Sequence, residues 1–197
     1  MAPIVAIYVL WAGWAVSWWT AAAWANPAIK HASFLQELSH RLLTIAGAIL
    51  LFGFYSNHYD LHYRLWQRPL YGFGGWVMVA LVFIGFAFSW WARIHLGRLW
   101  SGTITRKTSH HIVDTGPYAF VRHPIYTGIT LATIATAITT GTPSAFLGTV
   151  LMIAGWYVKA RVEERFLREE LGPEAYDSYA RRVPMLVPFI RWTMAAE

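Results

Sequence analysis

From Pro3 to Ala25 the sequence carries no charged side chain, and further uncharged apolar stretches run over about Leu42–Tyr55, Gly72–Trp91, Ile125–Thr140 and from Pro143 up to Lys159. An α-helix rises ~1.5 Å per residue, so ~20 such residues cross the ~30 Å hydrocarbon core of a bilayer with their backbone polar groups satisfied inside the helix. A soluble fold must instead cover its core with polar side chains. With 56% of its 197 residues hydrophobic and 13% charged, this chain has too few of them to do so. Its 12 tryptophans and 10 tyrosines suit the boundaries between hydrocarbon and headgroups. The expectation is an all-α integral membrane protein with about five transmembrane helices.

The first stretch lacks the basic start of a signal peptide and closes at Asn26-Pro27, which reads as a retained helix. The second is short and preceded by Glu37, His40 and Arg41, with a start near Phe34 as the alternative. Only Gly141-Thr142 separates the fourth from the fifth, which predicts a tight antiparallel hairpin. With five crossings, fourteen of the sixteen Lys and Arg residues fall on one side, which the positive-inside rule makes cytoplasmic, leaving the N-terminus outside. No repeat or long linker interrupts the chain, so 1–197 reads as a single domain. The net charge of +6 is not arranged as a basic run with interleaved aromatics, which argues against nucleic acid and for anionic lipid headgroups. The absence of cysteine excludes disulfides, thiolate metal sites and a cysteine nucleophile.

Charged residues concentrate in two segments of that one side. The first runs from Arg93 to Pro124, and the densest cluster of unusual residues, His110 to Gly128, begins within it. In it Gly116-Pro117 forces a turn and Pro124 opens the fourth helix, predicting unpaired backbone donors near Arg122 and His123 that attract a carboxylate. The second follows the fifth helix, which is expected to continue into the cytoplasm until Gly172 ends it and Pro173 prevents its resumption. Arg161 and Glu164 then share one side of that extension, beside Glu163.

The pattern His110, Ile112-Val113, Gly116, Tyr118, Arg122-His123-Pro124, Tyr126 and Gly128, followed after the hairpin by Arg161, Glu163-Glu164, Tyr176, Tyr179 and Arg182-Val183-Pro184, resembles the isoprenylcysteine carboxyl methyltransferase family. More loosely, it is similar to the phospholipid N-methyltransferases. The resemblance covers about Gly97 to Ile190 and implies an enzyme that transfers a methyl group from S-adenosylmethionine to a lipophilic substrate, most simply a carboxylate. It implies a cytoplasmic cofactor pocket lined by His110, Ile112, Val113, Gly116, Tyr118, His123, Pro124 and Tyr126 and completed by Glu163 or Glu164. Arg161 holds the place of an arginine that positions a substrate carboxylate, giving Arg161 and Glu164 the catalytic roles. The short chain suggests a bacterial inner-membrane protein. From their interfacial position, Trp90, Trp91 and Trp100 are expected to border a lipid-facing access route to the substrate. An aminolipid N-methyltransferase, a small-thiol S-methyltransferase and a noncatalytic membrane assembly or regulatory protein are the alternatives.

Taken singly, each of these residues has a plainer reading. Glu163 and Glu164 suit a solvated helix, His123 a helix cap, and Tyr118 and Tyr126 interfacial anchors. The threonines at 127, 130, 133, 136 and 139 drift around the helix axis, so small-residue packing within the hairpin explains them better than a polar pathway. His58 and His62 stand at metal-pair spacing in the opposite loop, and no metal site is expected from them.

Overall fold

The computed structural model describes residues 1–21, 30–31, 34–53, 65–66, 70, 72–100, 105–106 and 112–190. Among these, six α-helices follow in order: α1 (Pro3–Ala21), α2 (Phe34–Phe52), α3 (Gly72–Leu96), α4 (Pro124–Thr140), α5 (Pro143–Leu171) and α6 (Pro173–Arg182). Short 3-10 turns occupy Gly97–Leu99 and Gly116–Ala119. One addition to the all-helical expectation is a two-residue antiparallel pairing of β1 (Lys30–His31) with β2 (Thr105–Arg106). The earlier of the two starts foreseen for α2 is the one formed, and α3 continues past Trp91 to Leu96. As expected, α5 runs beyond Lys159 and stops at Gly172, where the positive φ of 91° breaks the helix and Pro173 opens α6.

Three helices, α1, α3 and α5, are each long and apolar enough to cross a membrane. Their outward faces carry large apolar side chains, among them Val9, Trp19, Phe83, Ile84, Leu147 and Val150, all exposed. Water would penalise such a surface and lipid does not, so the chain is an all-helical integral membrane protein. At 17 residues α4 is shorter, and apart from Pro124 and Ile129 its buried positions are filled by Ala, Thr and Gly. Neighbouring helices shelter it.

The expected antiparallel α4–α5 hairpin forms, although it is not the closest helix pairing. Gly141 does turn the chain in a left-handed conformation and Thr142 caps α5 by accepting from the Ala145 amide at 3.2 Å. Yet α4 packs chiefly on α3, and α5 chiefly on α2. Glycines decide this pairing. A Cβ at Gly85 or Gly128 would collide with the backbone carbonyl of the other, and Gly47 and Gly148 face one another in the same way across α2 and α5. The close seams therefore lie between helices distant in sequence. Thr133, Thr136 and Thr139 donate to the carbonyls of Ile129, Ala132 and Ala135 in their own helix at 2.7–2.9 Å, and Thr136 also accepts from Trp11 Nε1 of α1 at 2.9 Å.

Contacts between α1 and α3 fix the direction of the bundle. Pro3 lies against Gly75, Ser17 accepts from Trp90 Nε1 at 3.2 Å, and the Ala21 carbonyl accepts from Arg93 at 2.8 Å, so the two helices run parallel. Between them stacks an aromatic column in which Trp14 lies on Phe86 with ring centroids 5.2 Å apart and Trp18 meets Trp90 and Trp100 edge-on. Parallel α1 and α3 with antiparallel partners bring the start of α2, the end of α3, the start of α4 and the C-terminal half of α5 to one end.

Candidate functional site

At that end the first turn of α4 meets α5. Pro124 at the first helical position leaves no amide to satisfy, and His123 just before it points its ring at the α5 glutamates. Glu164 Oε1 accepts from Arg122 Nε at 2.7 Å and lies 3.2 Å from His123 Nε2. On the next position of α5, Glu163 Oε1 accepts from the Tyr126 hydroxyl at 2.7 Å and sits 3.8 Å from Lys159 Nζ. The His123 and Tyr126 rings stack with centroids 5.5 Å apart, and Lys159 Nζ stands 5.7 Å from the Tyr126 centroid. Burial alone favours a neutral His123 ring, but the two carboxylates flanking it outweigh that and raise its pKa above the ordinary value.

The two glutamates are not equivalent. Glu164 is buried, and Arg122 and His123 both meet its Oε1. Glu163 keeps 22% side-chain exposure, and its Oε2 has only a 3.6 Å approach from His123 Nδ1, beyond ordinary hydrogen-bond length. It retains accepting capacity for a further cation.

A third wall comes from the turn before α4. Gly116 has φ 57°, and a Cβ there would strike the His95 ring, so backbone conformation and space both select glycine. His95 bonds Thr115 Oγ1 at 2.9 Å and stacks on Tyr118. Burial first, and then the nearby Glu163 charge, push the Tyr118 phenol far above its usual range, so it stays protonated. Its backbone carbonyl accepts from the Tyr179 hydroxyl of α6 at 2.9 Å, while Ile112 packs on the Tyr176, Tyr179 and Val183 cluster.

The unpaired amides expected at Arg122 and His123 are taken. They donate to the carbonyls of Pro184 and Met185 at 2.8 and 3.1 Å, because the segment after α6 folds back across the opening of α4. The Pro184 and Met185 carbonyls thus occupy the two amides just before α4, so those two are not open to a ligand's carboxylate.

Residues 78–169 match the family model described as the isoprenylcysteine carboxyl methyltransferase (ICMT) family. The matched segment is a little under half of the chain, and the chain is also similar to individual curated proteins. It is 30% identical to protein-S-isoprenylcysteine O-methyltransferase B of Arabidopsis thaliana over 44% of each chain. It is 31% identical to the nickel-cobalt-cadmium resistance protein NccN of Alcaligenes xylosoxydans xylosoxydans over 57% of this chain and 52% of that one. A solved structure of the eukaryotic intramembrane Ras methyltransferase ICMT superposes with a TM-score of 0.49 at 19% identity, covering 83% of this chain and 55% of the other. The chain spans less than two thirds of the length of the curated relatives it matches.

Of the residues singled out by sequence, the structure brings Tyr118, His123, Pro124, Tyr126, Glu163 and Glu164 together. Gly116 and Ile112 lie on the adjoining turn and Val113 beside them, whereas His110 lies outside the described residues, as do His58 and His62. Arg161 is half-buried on α5, but Arg122 is the arginine that binds Glu164. The three tryptophans separate: Trp90 and Trp100 are built into the α1–α3 column, Trp100 beneath the Arg93 guanidinium at 4.2 Å, and only Trp91 is exposed, near Phe120. They do not form one border. Among the described residues no group of three or more His, Asp or Glu side chains is arranged to hold a metal ion.

Sequence reasoning gave no role to Arg122, Lys159 or His40. Arg122 stood inside the Arg122-His123-Pro124 motif, and Lys159 lies four residues before Glu163, so both signals were present. His40 carried none.

Proposed function

We propose that this chain is an S-adenosylmethionine-dependent methyltransferase acting on the carboxylate of a lipophilic, isoprenylcysteine-like substrate. The observation that carries this is the Glu163 carboxylate: partly exposed, one oxygen under-used, and set among aromatic rings inside the segment that matches the family. The donor set suits the cofactor. An α-ammonium needs an accessible acceptor, and Glu163, with 22% side-chain exposure against 10% for Glu164, is the more accessible carboxylate, while a sulfonium favours the faces of rings such as Tyr118 and Tyr126. When bound, S-adenosylmethionine supplies an electrophilic methyl group for in-line displacement by the acceptor.

In this reading Glu163 orients the donor, and Tyr126, donating to Glu163 Oε1, fixes which oxygen remains available. Glu164 and Arg122 anchor the start of α4 to α5 and keep His123 and Tyr126 stacked. Gly116 lets the chain approach closely, and protonated Tyr118 helps exclude water. Arg161 steers the acceptor carboxylate toward this end. A carboxylate acceptor is already a nucleophile, so no general base is required. Five helices cross the membrane, α2 and α4 sheltered by the other three, with the site cytoplasmic, the N-terminus outside and lateral access from the bilayer, in the inner membrane of a bacterium. The whole chain acts as one domain.

Isothermal titration of the detergent-solubilised protein with S-adenosylmethionine tests the reading. Binding is expected in the wild type, at least tenfold weaker in Glu163→Gln. Mass spectrometry after incubation with N-acetyl-S-farnesylcysteine should then show a base-labile methyl ester. No binding by folded protein, or only base-stable methylation of an amine, refutes it.

A further inference from the structure

His40 lies on α2, outside the segment that matches the family, yet it comes to the same end of the bundle as the candidate site. It is 7% exposed, and its Nε2 is buried with no hydrogen-bond partner. An orphaned buried ring nitrogen forfeits a hydrogen bond that water would have supplied, so its retention asks for a reason. Packing does not supply one, since a phenylalanine would fill similar space without a polar atom.

Its surroundings suggest the reason. Gly155 on α5 has no side chain because α2 runs directly over it: a Cβ there would come within 3.0 Å of the His40 carbonyl oxygen and 2.6 Å of Thr44 Oγ1. One turn further along α5 comes Lys159, and one turn beyond that Glu163. Both lie within electrostatic reach of His40, as do Arg41 and Glu37 on its own helix. Arg41 and Glu37 are paired with each other. Lys159 and Glu163 keep 15% and 22% side-chain exposure, so neither is sealed off by the helices around it. Lys159 also lies nearer than Glu163 to the apolar part of α5.

We infer that His40 is a substrate-binding residue whose Nε2–H, together with the Lys159 ammonium, receives the acceptor's carboxylate on the bilayer side of Glu163. The inference rests on the carboxylate-acceptor reading above. It adds a contact contributed by α2, a helix outside the matched segment. A neutral imidazole donor beside one ammonium binds a carboxylate without placing a second full cation against Glu163. The apolar tail of the acceptor then extends toward lipid beside the apolar part of α5 while its carboxylate faces the donor pocket.

Binding of N-acetyl-S-farnesylcysteine and of its methyl ester, measured by isothermal titration on the solubilised full chain without cofactor, tests this. The wild type should prefer the free acid by at least tenfold. His40→Phe should reduce that preference below threefold while leaving the affinity for S-adenosylmethionine within twofold, and His40→Gln, which keeps a donor near Nε2, should retain most of it. A wild type without acid preference, or a His40→Phe variant that keeps it, overturns the inference. An equal loss of cofactor affinity in His40→Phe also overturns it, by placing His40 in the donor pocket. Acid selectivity that depends on His40 in a protein that does not bind S-adenosylmethionine would instead refute the methyltransferase reading and leave this subsite standing.

Discussion

Arg122 holds the C-terminal segment onto the bundle, and Arg122→Ala should release it. Its Nε donates to Glu164 at 2.7 Å, and its Nη1 to the carbonyls of Ala180 and Val183 at 2.9 and 2.6 Å. The ion pair is well buried, with side-chain exposures of 11% and 10%. Removing one partner of such a pair strands the other, at a cost of about 3–5 kcal/mol. The main-chain bonds to Pro184 and Met185 survive the substitution, so the loss falls on closure of residues 173–187 and not on the α1–α5 packing. Since ~1.4 kcal/mol is a factor of ten, the closed-to-open ratio of that segment should fall by roughly two to four orders of magnitude. Hydrogen exchange followed by mass spectrometry reads this directly: peptides from 173–187 should exchange at least a hundredfold faster, with α1 and α3 unchanged. Arg182→Ala is the control, because its 3.4 Å pair with Asp114 has side chains 64% and 42% exposed and contributes ~0–1 kcal/mol. Equal exchange in the wild type and Arg122→Ala, or equal acceleration in both variants, would refute the reasoning.

His123 gives the stability a pH dependence. Its pKa in the folded state lies above the ordinary 6.5, so its contribution is complete below pH 6.5 and is lost as pH rises through the folded value. The melting temperature should decline between pH 6.5 and 8.5 in the wild type and be flatter in His123→Gln; a flat wild-type profile would contradict the assigned environment. Gly128→Val drives a side chain into the Gly85 carbonyl and Ser89 and should eliminate monodisperse protein on size exclusion, whereas Gly13→Val, with nothing within 4 Å, should not. Gly116→Ala meets both φ 57° and the His95 ring, costing ~1–2 kcal/mol for the backbone alone. S-adenosylmethionine affinity should fall at least tenfold with little change in the melting temperature of the helices, and unchanged affinity would remove this turn from the pocket.

The helices were legible in the sequence because uncharged length and proline or glycine punctuation are local properties. Pro3, Gly72, Pro124, Pro143 and Gly172 mark boundaries that the structure keeps to within a residue. The chemistry was legible where neighbours in sequence share a site, as in His123 with Tyr126 and Glu163 with Glu164. Choosing between those glutamates was not, since their residue type and spacing are the same and only burial and partners separate them. Helix pairing was legible only in part: adjacency gave the α4–α5 hairpin, but not the closer seams that the glycines of α3 and α4, and of α2 and α5, permit. That pairing brings His40 across to Gly155 and folds Pro184 and Met185 over the start of α4. Sequence determined which segments enter lipid and which carry charge, because transfer between water and hydrocarbon acts on each segment separately. Tertiary structure decided which polar atoms are satisfied and which remain open, because that depends on groups far apart in the chain meeting at hydrogen-bond distance.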